Sequence, residues 1–253
     1  MSVLVQQAHM HHGEIQAEET PAQLAGRIVN EDIVICRGVF DAEALKAIKQ
    51  RVHQFGLITS EQNLQTAVDV VTFHRIDHNH PKSGIQRSVH FYRFSYRQED
   101  PLALLPVFRP LSMFRNVIAG LDKEYTFYQD DNGFLSQPSL LHYPRGGGYM
   151  ARHVDPVIPQ RVEMVLVLST RGSDFQHGGL CVHVNGTDVD VEASLQVGDI
   201  CMFRPDLPHG VLPIDPEATL DWASMTGRWT MFCPIAHAKD RSKNSKLAPS
   251  RYA

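Results

Sequence analysis

From Ser139 onwards the chain is written in short runs of strand-forming residues, each closed by turn residues, and this texture narrows the available folds more than any other feature. The runs are Ser139-Leu140-Leu141-His142-Tyr143, Val162 to Leu168, Leu180 to Val184, Ser194 to Val197, Ile200 to Phe203 and Arg228 to Cys233. They are bounded by GGG, RGSD, NG, VGD and PDLP. Apolar and β-branched runs of this length, punctuated by Gly, Pro, Asn and Asp, read as strands with tight connections. Six of them in succession predict a sandwich or jelly roll and not a parallel α/β sheet.

The first half reads differently. Asp41 to Phe55 carries Asp41 as an N-cap, Leu45, Ile48 and Val52 at helical spacing, and Gly56 where a C′ residue would sit, so a helix is expected there. A second helical stretch runs from about Leu102 to Leu121, with Pro106 and Pro110 expected to break or kink it. At 253 residues one large domain is expected. The architecture predicted is mainly β with flanking α-helices: a helical and lid part over 1–138, a double-sheet core over 139–236 and a polar tail over 237–253.

Hydrophobic residues at 43% and charged residues at 21% place the chain among ordinary globular proteins and exclude a disordered one. A net charge of -4 and a pI near 6.4 offer no basic field for a phosphate backbone, so nucleic acid is not an expected partner and small neutral or zwitterionic molecules fit better. Cys36, Cys181, Cys201 and Cys233 are far apart, show no CxxC pairing and lie mostly in apolar runs, as expected of buried reduced thiols in a cytosolic protein. Neither a secretory leader nor a membrane span is legible, and a cytoplasmic location is expected.

The chemistry concentrates in three places. His153 and Asp155 are one residue apart, which on an extended strand puts both side chains on one face, able to grip one ion from one side. A single His from another strand would complete a 2-His-1-carboxylate set, leaving octahedral positions open for oxygen and substrates, as iron(II) oxygenases require. The best third ligand is His209, in Arg204-Pro205-Asp206-Leu207-Pro208-His209-Gly210-Val211. Downstream, Arg228 stands alone in the apolar run Gly227-Arg228-Trp229-Thr230-Met231-Phe232, where burial without a partner would be costly. A carboxylate held by the guanidinium fork is the natural partner, and Thr230, two residues on, shares its strand face.

In these residues the sequence resembles the iron(II)/2-oxoglutarate-dependent oxygenases of the double-stranded β-helix (jelly-roll, cupin-like) fold, whose pattern is H-x-D, a distal His and then R-x-S. Here it reads His153-Val154-Asp155, His209 and Arg228-Trp229-Thr230, with the hydroxyl kept. Leu141 to Tyr149 also looks like the family's approach to the metal, and the resemblance covers about residues 139 to 236. The interval from His209 to Arg228 is longer than usual, and Asp215 to Thr226 reads as an inserted loop. Arg204 is a competing anchor but precedes the distal His.

The resemblance implies iron(II) on His153, Asp155 and His209, with 2-oxoglutarate chelating it and its far carboxylate on Arg228 and Thr230. It further implies O2 as co-substrate, succinate and CO2 as products, and hydroxylation of a small molecule such as a free amino acid or secondary metabolite. Asp155 favours hydroxylation over halogenation, since related halogenases carry a small residue there. Tyr143 is a candidate for the cosubstrate site and Tyr149 for the substrate, although either could be an ordinary strand aromatic.

The His- and Arg-rich stretch 73–97 is expected to form a lid or substrate-facing segment in which Arg75 or His74 meets a substrate carboxylate. His78-Asn79-His80 shows no third ligand for a second metal site. Three rivals remain open: a nucleic-acid or protein demethylase, which would need a basic groove; a cupin-type metalloenzyme, which would not need Arg228 and Thr230; and a non-catalytic small-molecule-binding protein of the fold, which should have lost a ligand.

Overall fold

The computed structural model describes residues 2–58, 75–76, 85–94, 100–127 and 130–237, and for residues 75–76 the backbone alone. Its elements are β1 (Val3–His11), β2 (Glu14–Ala17), α1 (Pro21–Val29), β3 (Ile33–Arg37), α2 (Ala42–Ile58), β4 (Arg75–Ile76), β5 (Arg87–Arg93), α3 (Leu105–Ile118) and β6 (Phe134–Ser136). There follow β7 (Ser139–Pro144), β8 (Gly148–His153), β9 (Glu163–Val167), β10 (Gly179–Val184), β11 (Thr187–Asp190), β12 (Ile200–Phe203), β13 (His209–Ile214), β14 (Gly227–Phe232) and β15 (Ile235–His237).

Two antiparallel four-stranded layers form the centre, β12-β9-β14-β7 and β11-β10-β13-β8. From β7 to β14 the chain passes back and forth between them, which is the winding of a double-stranded β-helix. Strand β5 closes the gap at one side: its end pairs with β7 from His90 to Arg93, and its start pairs with β8 at Arg87 and Ser88. On the other side β3, β1 and β2 extend the first layer beyond β12.

Alternation along the strands decides what each face does. On β14, Trp229 and Met231 point outward into the main core with Leu45, Ile48, Val52 and Phe108 of α2 and α3, while Arg228, Thr230 and Phe232 line the interior. Strand β12 behaves likewise, with Ile200 and Met202 in the helix-covered core and Cys201 and Phe203 between the layers. Because both faces of this layer are buried, its strands read as nearly continuous apolar runs. All four cysteines are buried, and no disulfide forms among the described residues.

Several expectations are corrected. The N-terminal part contains α1, α2 and α3 as expected but also supplies β1, β3 and β5 to the sheet, so its role is not only to cover a barrel. Asp41 does cap α2, its Oδ2 accepting from Ala44 N at 2.8 Å. Gly56, however, lies inside the helix, where a Cβ would come within 2.5 Å of the Tyr92 hydroxyl, so glycine serves packing there and not a helix stop. Helix α3 is continuous through Pro110, and Pro106 falls in its first turn, where no intrahelical N–H is needed. Ser194 to Val197 is not a strand. A 3-10 turn covers Val191–Ser194, and the Gln196 and Val197 amides are taken by the side chains of Asp199 and Thr170 instead of a ladder. Asp215 to Thr226 lies between β13 and β14 as a connection without strands.

Candidate active site

Between the layers lies a cavity of about 270 Å³. At its mouth His153 ends β8, Asp155 follows just beyond the strand, and His209 begins β13, where it is the direct partner of His153 across the ladder. Two local devices produce this. The next pairing on the ladder is Val211 with Met150, two residues on one strand against three on the other. The extra residue is a bulge in β8 that lets both Met150 and His153 face inward while Arg152 turns out to Asp188. Beside His209, the residue at 210 must be glycine, since a Cβ would meet the Met150 carbonyl oxygen at 2.8 Å.

Donor atoms of His153, Asp155 and His209 all lie within 4.8 Å of one another, close enough for a single ion. The His153 Nδ1–H donates to the Ala151 carbonyl and that of His209 to the Leu207 carbonyl, each at 2.9 Å. This leaves both Nε2 lone pairs for a metal, the usual arrangement of a ligating imidazole. Asp155 Oδ2 sits 3.8 Å from His153 Nε2 and 3.5 Å from His209 Nε2. Burial and the neighbouring His209 lower the His153 pKa. Burial also pulls down on His209, but the hydrogen bond and charge of Asp155 outweigh it and its pKa is raised. Asp155 is pushed up by burial and down more strongly by the two imidazoles, so its pKa is lowered.

Arg228, Thr230 and Tyr143 line the same cavity. Arg228 is fully buried, and its Nε donates to Glu192 Oε2 at 2.7 Å. The partner anticipated as an exogenous carboxylate is thus shared with a protein carboxylate, a residue that nothing in the sequence singles out. The nitrogen on the same edge of the guanidinium, Nη2, and the other Glu192 oxygen, Oε1, are both buried with no hydrogen-bond partner among the described residues. Neither the Thr230 hydroxyl nor the Tyr143 hydroxyl bonds to any described residue. The Arg228 guanidinium lies 5.6 Å from the Tyr143 ring centroid, and burial pushes the Tyr143 hydroxyl up to about 12, so it is a donor at neutral pH.

Among the substrate candidates, Tyr149 is half-buried on β8 but does not line the cavity. Arg75 lies on β4, paired with β5 opposite His90, and its side chain is outside the described residues. His74, His78, His80 and the tail from Lys239 lie outside them altogether. The residues that do face the cavity from β5 are Arg87, Phe91 and Arg93, on one side of the strand, with Arg93 stacked over Phe91 at 4.3 Å. From the other wall come Glu163 and Gln160. The reasoning that singles out Arg228 applies equally to Glu163: it is a lone charge in an apolar strand. His142, which has no partner legible in the sequence, faces away from the cavity and stacks on Trp229 at 4.2 Å.

Fold and site together define a double-stranded β-helix protein with a 2-His-1-carboxylate cluster at the mouth of its barrel. No known protein-family model matches the chain, and no curated protein sequence is significantly similar to it. Solved structures are. A Pseudomonas putida prolyl-4-hydroxylase superposes with a TM-score of 0.52 at 15% identity, covering 86% of this chain and 99% of that one. A Trichoplax adhaerens prolyl hydroxylase, in complex with a hypoxia inducible factor peptide fragment, gives 0.52 at 15% identity and covers 88% and 92%. SnoN, a non-heme alpha ketoglutarate dependent epimerase from nogalamycin biosynthesis, gives 0.53 at 12% identity and covers 86% and 82%. The chain has the fold of the 2-oxoglutarate and iron(II) oxygenases.

Proposed function

We propose that this protein is a non-haem iron(II)- and 2-oxoglutarate-dependent oxygenase that hydroxylates an aliphatic C–H of a small molecule, a free amino acid or secondary metabolite. The observation that carries the reading is the set of unsatisfied donors behind the His–Asp–His cluster. Arg228, Thr230 and Tyr143 line one cavity, and the Thr230 and Tyr143 hydroxyls have no hydrogen-bond partner among the described residues. A cavity-facing hydroxyl beside a buried guanidinium is an open donor that a ligand can satisfy, and a carboxylate offers acceptor oxygens to such a set.

His153, Asp155 and His209 would hold iron(II), and Arg228, Thr230 and Tyr143 the far carboxylate of 2-oxoglutarate. Iron and 2-oxoglutarate with O2 would supply oxidative decarboxylation to succinate and CO2 coupled to oxidation of a substrate C–H. The chain's own contributions are positional. The Ala151 and Leu207 carbonyls fix the two imidazoles, and Glu192 fixes the Arg228 fork. Phe91, Met150, Val165, Val211 and Phe232 give the substrate an apolar compartment that excludes water from the metal face. Buried reduced cysteines suit the reducing cytoplasm, where we place the protein.

The test is anaerobic addition of iron(II) to the metal-free protein with and without 2-oxoglutarate, followed in the visible region. A weak charge-transfer band in the parent, lost in His153→Ala and weakened in Tyr143→Phe and Thr230→Val, is the expected result. Stoichiometric iron binding without any such band would remove 2-oxoglutarate from the reading and favour a cupin-type metalloenzyme.

A further inference from the structure

Glu163 belongs neither to the His–Asp–His cluster nor to the donor set around Arg228, yet it is a carboxyl in the cavity wall, 5% exposed, at the start of β9. Its Oε2 accepts from the Gln160 side-chain amide at 2.6 Å, and Gln160 is itself fixed by the Ile235 amide donating to its Oε1 at 3.0 Å. The other oxygen, Oε1, receives no hydrogen bond from any described residue, and no described cation forms an ion pair with the group. The nearby Arg115 donates to the Cys233 carbonyl, Asn116 Oδ1 and Ser136 Oγ. A buried carboxyl braced on one oxygen by a neutral amide and open on the other is set up for a partner that arrives with the ligand.

We propose that Glu163 is a substrate-anchoring residue, and that the substrate is a small amine whose ammonium group binds Glu163 Oε1 while its apolar body fills the space along Phe91, Val165 and Phe232. This deepens the proposed function, on which it rests for the identity of the cavity as a substrate site. The chemistry follows from the wall. Arg228 already has Glu192 as its ion-pair partner, whereas Glu163 forms no ion pair among the described residues and meets the charges of His209 and Arg115 only through space, so an ammonium is the ligand group that would pair it. Burial and the charge of Asp155 push Glu163 up to about 8 in the empty cavity, and an ammonium would draw it back into the ionised form and gain a charge-assisted hydrogen bond.

The experiment uses the whole chain loaded anaerobically with iron(II) and 2-oxoglutarate. Probes are the free amino acids and primary alkylamines of graded length, each paired with its N-acetyl derivative, with binding read by saturation-transfer NMR and calorimetry. At least one amine should bind, its N-acetyl partner should bind about ten-fold more weakly or not at all, and Glu163→Gln should abolish the discrimination. Glu163→Gln keeps the shape and the contact with Gln160, and its 2-oxoglutarate band should match the parent's. Equal binding of amines and N-acetyl derivatives, discrimination that survives in Glu163→Gln, or no amine binding at all would overturn the proposal. Loss of iron from Glu163→Gln would assign the carboxyl to the metal and overturn it too. A missing 2-oxoglutarate band in the parent would count against the cosubstrate alone, and the amine discrimination would still decide for or against Glu163.

Discussion

The Arg228 Nε donates to Glu192 Oε2 at 2.7 Å, and the two side chains are 2% and 1% exposed, so an ion pair joined through one hydrogen bond is sealed between the layers of the barrel. Glu192 Oε2 also accepts from the Leu180 amide at 2.7 Å, which ties the 3-10 turn after β11 to β10. The pair therefore joins strand β14 to the opposite layer and at the same time aims the guanidinium. Its net charge is zero, so an incoming carboxylate is attracted by directed N–H and O–H donors more than by a field.

Removing one member should expose the cost of that arrangement. Arg228→Met leaves Glu192 buried without its counter-charge, and we expect the metal-free protein to lose about 3–5 kcal/mol in urea unfolding. Arg228→Met combined with Glu192→Gln should recover most of it, because the unpaired buried charge is removed while the side-chain amide oxygen can still accept from the Leu180 N–H. Equal losses in the single and double variants would show that the pair contributes no coupling.

Gly56 inside α2 gives a second stability prediction. Gly→Ala in a helix interior normally gains up to about 1 kcal/mol, but here the added methyl meets Tyr92 Oη at 2.5 Å and Cε1 at 2.9 Å, and Tyr92 is a buried ring stacked on Trp229. Gly56→Ala should therefore destabilise by about 1–3 kcal/mol, the usual range for overpacking. Tyr92→Phe in the same chain should return part of it, as a two-variant thermal melt would show.

Glu192 and Gly56 also mark where a sequence stops being informative. The cluster of His153, Asp155 and His209 is legible through the H-x-D pattern and its order before a distal His, although Asp155 lies just beyond β8 and not on the strand the spacing suggested. So are β7, β9, β10, β12 and β14, whose runs are apolar on both faces. Gly56 reads as a helix stop because nothing local reveals Tyr92, which approaches from β5. Pro110 reads as a break because the packing that carries α3 through it is tertiary. Glu192 escapes notice because a carboxylate in a turn looks like surface until the opposite wall is known. Strands β3 and β5 are hidden for a related reason: β3 pairs with β12 and β5 with β7 and β8, far away in sequence.

Glu163 should leave its mark on the pH dependence of folding. Its carboxyl is raised from 4.5 to about 8 by burial and by the charge of Asp155, so the native state holds a proton that the unfolded chain has lost. A group raised in this way contributes stability fully below pH 4.5, and that contribution disappears as pH rises toward 8. Between about pH 5.5 and 8 the metal-free parent should lose on the order of a few kcal/mol that Glu163→Gln retains. Parallel urea midpoints for the two proteins across that range would contradict the assignment.

Iron binding should follow the opposite trend, for a reason visible in the metal cluster. His209 titrates above its ordinary value because Asp155 Oδ2 lies 3.5 Å from its Nε2, the atom that would ligate the metal. In the metal-free protein Nε2 therefore keeps a proton to higher pH than a free imidazole would, and the metal must displace it. Below the pKa of His209 affinity should fall by about ten-fold per pH unit, the signature of one proton exchanged for one ion, and it should level off above that pKa. Because the pKa of His153 is lowered, it should be deprotonated before His209 as pH rises and add no second step near neutrality. Cobalt(II) absorption titrations between about pH 5.5 and 8.5 measure the slope. A pH-independent affinity, or a slope of two protons, would mean that His209 and His153 do not carry the protonation states assigned by their distances to Asp155.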